Sequence, residues 1–131
     1  MKSYTDIEQS KKLAEILPLE SADMSYVYDK QLDKLYGDTP YVIGYKVLNE
    51  DVDIPCWSLA ALLQVLPLGI YDEFDNCDYE LEIDMIDKMP RYIRLGDIYH
   101  SKFPYDFEKD TLLDNVVESI IWLNDNNYFE L

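Results

Sequence analysis

The chain has 131 residues, 48% of them hydrophobic, and carries 27 acidic against 11 basic side chains for a net charge of −16. That length suits one domain, residues 1–131, around a single core, and the apolar content argues against global disorder. The charge disfavours nucleic acid and anionic lipid as direct partners, since both are polyanions.

In chain order, Thr5-Asp6-Ile7-Glu8 reads as a capping box opening a first helix. Ile7, Leu13, Ala14 and Leu17 share a face of that helix, and Pro18 stops it by removing a donor and restricting Leu17. Met24 to Tyr28 reads as a short strand. Asp29 to Thr39 is polar and turn-rich, with one helical turn around Leu32 and Leu35. Tyr41 to Leu48 is β-branched and aromatic, a second strand with Gly44 as a bulge.

Trp57 to Leu66 predicts the clearest helix. Leu59, Leu62, Leu63 and Leu66 recur at i, i+3, i+4 and i+7, and only Ser58 and Gln64 are polar, so burial around most of the circumference is expected. Pro67 ends the helix, and an acidic loop from Tyr71 to Asp78 follows. Tyr79 to Met85 alternates strictly, as a half-buried strand does. Its partner is Arg91 to Tyr99.

If Asp87 pairs with Arg91 across Lys88-Met89-Pro90, then Leu81, Ile83 and Met85 share the core face with Ile93 and Leu95, and Asp84 faces Arg94. A last helix starts near Asp110 or Thr111. Its stripe of Leu112, Leu113, Val116, Val117, Ile120 and Ile121 faces inward, with Asp114, Asn115, Glu118 and Ser119 outward. Asn124 to Asn127 suits a C-terminal cap. The expected core joins Trp57, Leu59, Leu62, Leu63 and Leu66 to Val116, Val117, Ile120 and Ile121 of this last helix.

These elements predict an α+β fold: an antiparallel sheet of about four strands and three helices, in the order αββ-αββ-α. Glu15-Ile16-Leu17-Pro18-Leu19 recurs as Gln64-Val65-Leu66-Pro67-Leu68. That recurrence reads either as a duplicated helix-plus-hairpin unit or as two helices stopped by proline.

The acidity is concentrated. Residues 47–87 carry 11 acidic and no basic side chains. The N-terminal stretch has no apolar export-signal core, and no apolar run approaches the roughly 18 residues of a membrane span. A cytoplasmic protein without membrane partners is expected, in which Cys56 and Cys77 are free thiols.

Chemistry is sparse. His100 is the one histidine; any Ser-His-Asp or Cys-His scheme would need it, and no nucleophile elbow is present. The spacings of Cys56, Cys77 and His100 match no paired zinc-ligand pattern. The glycines Gly37, Gly44, Gly69 and Gly96 build no phosphate loop. An EF-hand starting at Asp72 fails, because Phe74 takes the third position and Cys77 the sixth. No catalytic residue, cofactor or metal is therefore expected, and a non-enzyme is the reading.

Two features exceed what core packing requires. Glu80, Glu82 and Asp84 point the same way along one strand, about 6.5–7 Å apart, with Arg91 and Arg94 expected beside them. Phe103, Tyr105 and Phe107 lie in an aromatic loop of the kind favoured at interfaces. These six residues are the candidate partner-binding set. A basic protein surface is the expected partner. The phosphate-like spacing admits a DNA-mimic inhibitor of a nucleic-acid-binding protein, and a small-ligand binder or enzyme of unrecognised type is the third alternative. The apolar stripe of the last helix, with Trp122, makes a homodimer a further expectation.

The stretch Ile54-Pro55-Cys56-Trp57-Ser58-Leu59-Ala60-Ala61-Leu62-Leu63-Gln64-Val65-Leu66-Pro67 resembles one in small uncharacterised acidic proteins of gut-bacterial phages and mobile elements. Leu113 to Leu123, with Asn126-Asn127-Tyr128 shortly after it, is similar to their last helix. Both are packing segments, so no functional residues carry over. The resemblance implies an accessory gene product that binds and interferes with a host component.

Overall fold

The computed structural model describes residues 2–35, 37–42, 52–94, 97–101 and 109–129. The fold class is α+β, with three helices and antiparallel pairing throughout the described strands. Two compact units are formed, Lys2–Val65 and Leu66–Glu130. No helix among the described residues is long and apolar enough to cross a membrane.

The first unit begins with α1 (Ile7–Ala14). Its cap is Asp6, whose carboxylate accepts from Gln9 N at 2.8 Å while Gln9 Oε1 accepts from Asp6 N at 3.1 Å. The box is thus one residue later than Thr5–Glu8. Thr5 is diverted to the interior: it is fully buried, its hydroxyl pairs with Ser10 Oγ at 2.7 Å and accepts from Trp57 N at 3.2 Å. Helical bonding continues to Leu17 N, which reaches Leu13 O at 2.8 Å, and stops at Pro18. Leu13 and Leu17 are buried, whereas Ile7 is half-buried and Ala14 exposed, a narrower face than predicted.

After a single 3-10 turn (Leu19–Ser21), β1 (Met24–Tyr26) ends earlier than expected. The predicted helical turn is a hairpin instead, β2 (Tyr28–Asp29) with β3 (Lys34–Leu35), because Asp29 accepts from Gln31 N and Leu32 N and starts a turn. β1 lies between β4 (Tyr41–Val42) and β5 (Ile54–Cys56). The rest of the strand expected over Tyr41–Leu48, including Gly44, lies outside the described residues. The sequence patterning predicts no strand at β5; Pro55 is tolerated there because β5 is an edge among the described strands.

α2 spans Leu59–Val65, shorter than predicted at both ends. Ser58 precedes it, accepting from Ala61 N at 3.1 Å, and Asp23 holds Ser58 through its backbone N–H and hydroxyl. Leu62 is fully buried, Leu59 and Leu63 are half-buried, and Ala60 and Gln64 form an exposed face, so the helix is less enclosed than expected. Trp57 is fully buried just before it, with its indole N–H donating to Ser21 Oγ at 2.9 Å.

The second unit is a meander, β6 (Gly69–Asp72), β7 (Cys77–Asp84), β8 (Met89–Arg94) and β9 (Asp97–Ser101), with α3 (Leu112–Asp125) packed on β8. The expected acidic loop is therefore the β6–β7 hairpin. Its two flanks pair from Gly69↔Glu80 to Asp72↔Cys77.

The β7–β8 register differs from the expected one. Asp84 pairs with Met89, Glu82 with Arg91, Leu81 with Tyr92 and Tyr79 with Arg94. The turn is Met85–Lys88, set by Asp84, whose carboxylate accepts from Ile86 N at 2.9 Å and Asp87 N at 3.0 Å. Pro90 belongs to β8 and not to the turn. It sits opposite Ile83, where the antiparallel pattern asks no N–H of it. The core face therefore joins Tyr79, Leu81 and Ile83 to Pro90 and Tyr92. Ile93 moves to the outward face opposite Glu80, and Met85 is exposed at the turn. Leu95 lies outside the described residues.

Thr111 caps α3 by accepting from Asp114 N at 3.1 Å, in line with the expected start near Asp110 or Thr111, and Asn127 takes the left-handed conformation (φ 60°) within the expected C-terminal cap. Leu113, Val116, Val117, Ile120 and Leu123 are buried. Asn115 and Ser119, expected outward, are buried as well because each has partners inside. Ser119 Oγ donates to Asn115 O at 2.8 Å, and Asn115 bonds the backbone of Lys88 and Lys109. α2 belongs to the first unit and α3 to the second. The Leu-Pro-Leu recurrence also diverges: a 3-10 turn follows Pro18, and a strand follows Pro67.

Candidate functional site

Alternation along β7 sends Asp78, Glu80, Glu82 and Asp84 to one face of the sheet. Their neighbours on that face are Tyr71 and Gly69 in β6 and Ile93, Arg91 and Met89 in β8. Asp78, Glu80 and Glu82 are exposed; Asp84 is half-buried.

Arg91 divides this row. Its guanidinium donates to Asp84 Oδ2 at 3.1 Å and Asp87 Oδ2 at 2.7 Å. The predicted Asp87–Arg91 contact thus exists, as an ion pair beside the turn and not as a cross-strand pair. Arg94, expected opposite Asp84, lies opposite Tyr79 at the far end of the ladder. The backbone N–H of Asp87, then that of Ile86 and the charge of Arg91, hold the Asp84 carboxyl below the usual carboxylate range, against a smaller opposing effect of desolvation. Among the described residues, no cation pairs with Asp78, Glu80 or Glu82. The row therefore has a compensated end at Asp84 and, among the described residues, a stretch from Asp78 to Glu82 without an ion-pair partner.

The acids of the β6–β7 turn have internal duties. Asp72 is buried and accepts from Asp75 N at 3.0 Å and from the Tyr128 hydroxyl at 3.3 Å. Asp75 accepts from the Tyr79 hydroxyl at 2.7 Å, and burial, followed by that carboxylate, raises the Tyr79 phenol far above its ordinary value. Carboxylates occupied this way are not a preformed cation cage. No group of three metal-ligating side chains occurs among the described residues.

Both cysteines are free thiols. Cys56 is fully buried, and desolvation raises its thiol above the ordinary value, which suits packing and not nucleophilic attack. His100 lies in β9. Phe103, Tyr105 and Phe107 lie outside the described residues. An open groove of about 320 Å³ on the first unit is lined by Asp6, Ile7, Glu8, Tyr26 and Asp38. The Tyr26 hydroxyl there is committed to Thr5 O at 2.7 Å, and Asp6 to the cap of α1.

Sequence reasoning missed a recurring turn. Tyr28-Asp29-x-x-x-Asp33 and Tyr71-Asp72-x-x-x-Asn76 each close a hairpin in which the aspartate accepts backbone N–H bonds from the turn. The sixth residue is left-handed (Asp33 φ 51°, Asn76 φ 53°) and accepts from the tyrosine hydroxyl. Asp84 to Lys88 repeats this arrangement without the tyrosine, with Lys88 at φ 55°. The signal was present as an aspartate at each strand end.

No protein-family model matches the chain. Among curated proteins none is significantly similar, and among solved structures none matches.

Proposed function

We propose that the protein is a non-enzymatic interaction module of the cytoplasm, of the accessory kind found in phages and mobile elements, and that the outward face of β7 meets a basic surface of a partner protein. One observation carries this reading: Asp78, Glu80 and Glu82 are exposed in a row while Arg91, the cross-strand neighbour of Glu82, is engaged by Asp84 and Asp87. A row of uncompensated charge on a rigid strand steers oppositely charged partners and fixes their register. The same spacing suits imitation of a phosphate backbone, but neutralisation at Asp84 shortens the row, which favours a basic protein segment as partner over broad mimicry.

The test is the affinity of a lysine-rich peptide for two double variants with the same change in net charge. Glu80→Lys/Glu82→Lys should lose most of the binding. Glu15→Lys/Glu20→Lys, altered at exposed sites of the first unit, should keep it. Equal losses would mean that only the total charge matters and would overturn the proposal.

A further inference from the structure

The edge strand β6 adds a second element to this face. In an antiparallel pair, residues that exchange hydrogen bonds alternate with residues whose N–H and C=O point away from the partner strand. Leu81 N donates to Leu68 O at 2.9 Å. With the observed register, Ile70–Tyr79 and Asp72–Cys77 are then the bonded pairs, and Gly69 and Tyr71 direct their N–H and C=O off the edge of the sheet. Both residues are exposed, and among the described residues nothing partners those backbone groups. Natural sheets guard their edges with short strands, charged side chains, proline, a bulge or a covering segment. β6, Gly-Ile-Tyr-Asp, is short and turns its one charge, Asp72, to the buried face, but its open side carries neither lysine nor proline and its pairing with β7 is regular.

We propose that β6 receives an extended, basic segment of a partner protein as a fifth strand. The inference rests on the reading of the β7 face given above and names the form in which the partner arrives. Gly69 faces Glu80 directly on the outward side. A strand laid along β6 would put the residue facing Gly69 two strand spacings, about 9.6 Å, from the Glu80 backbone, with no side chain between them. A lysine or arginine at that position reaches over Gly69 to Glu80, and to Asp78 or Glu82 on the diagonals. The residue two positions along lies beside the half-exposed ring of Tyr71. Glycine also serves the sheet itself here, since a Cβ at 69 would come within 3.2 Å of Tyr79 O. A second copy of the chain is the poorer occupant, because it would bring its own acidic row to the same sheet. Alternating basic side chains satisfy backbone and charge together, the logic of strand addition to an open edge.

The experiment titrates an eight-residue peptide of alternating lysine and threonine into the full chain and follows amide hydrogen exchange. Binding should slow exchange at Gly69 and Tyr71. Tyr71→Pro, which removes an outward N–H, should weaken the peptide by about tenfold, the order of one lost backbone hydrogen bond, while Tyr71→Thr, which keeps it, should change affinity much less. Binding that depends on Glu80 and Glu82 but leaves Gly69 and Tyr71 exchange unchanged would overturn the fifth strand and leave the acidic-face reading standing. Protection that persists undiminished in Glu80→Lys/Glu82→Lys would overturn the acidic reading and the basic character of the segment. Absence of binding would overturn both.

Discussion

The side-chain amide of Asn115 donates to the carbonyl oxygen of Lys88 at 2.6 Å, tying the first turns of α3 to the β7–β8 turn. The same side chain accepts from Lys109 N at 3.0 Å and donates to Lys109 O at 3.3 Å, so one buried amide closes three backbone groups. Its helical position alone assigns it to the outer face, and only these partners explain its burial. Asn115→Leu should cost about 1–3 kcal/mol, because it fills the volume but leaves those groups without their partner. Asn124→Ala, at an exposed site near the end of the same helix, should stay within about 0.5 kcal/mol. Urea denaturation of both variants checks the contrast.

The pH response of the β7–β8 turn follows from Asp84. Its folded carboxyl titrates below the ordinary value through the N–H groups of Asp87 and Ile86 and the Arg91 charge. A depressed carboxylate contributes stability that is fully present above the unfolded value, about 4, and is lost as pH falls through the folded value. Asp84→Asn should therefore be less stable than the parent at neutral pH, with the gap closing only in acid below that point. A carboxyl carbon NMR titration of Asp84 with a midpoint at or above an unstructured aspartate would contradict this.

α2 shows how far periodicity alone can be trusted. The i, i+3, i+4, i+7 leucines identify the helix but do not rank its positions. Leu62 is fully buried, whereas Leu63 is half-buried. Leu62→Ala should cost about 2–5 kcal/mol and Leu63→Ala distinctly less. Equal shifts in thermal midpoint would mean that the two positions are equivalent.

The class and the helices were legible because their periodicity is strong: Leu113, Val116, Val117 and Ile120 are buried as the α3 stripe predicts, whereas Leu112 and Ile121 are half-buried and Asn115 and Ser119 turn inward. The register of β7 and β8 was not legible from composition. Residue type alone places Pro90 in the turn, yet a strand accepts proline where its N–H faces no partner. Asp84 decided the turn through two local backbone bonds, and the resulting five-residue offset exchanged the faces of β8, replacing Ile93 by Tyr92 in the core. Of the candidate site, the row Glu80, Glu82 and Asp84 was readable from alternation. Its division by Arg91 and the open backbone of β6 depend on register, which a single sequence states only through turn chemistry.

The most direct measurement of the central claim is an amide chemical-shift map of the whole chain during titration with a lysine-rich peptide at low and raised salt. The account predicts shifts concentrated on β6 and β7, from Gly69 to Glu82, that shrink as salt screens the charges. Shifts of equal size at the exposed carboxylates of the first unit, such as Glu15 and Glu20, would contradict it.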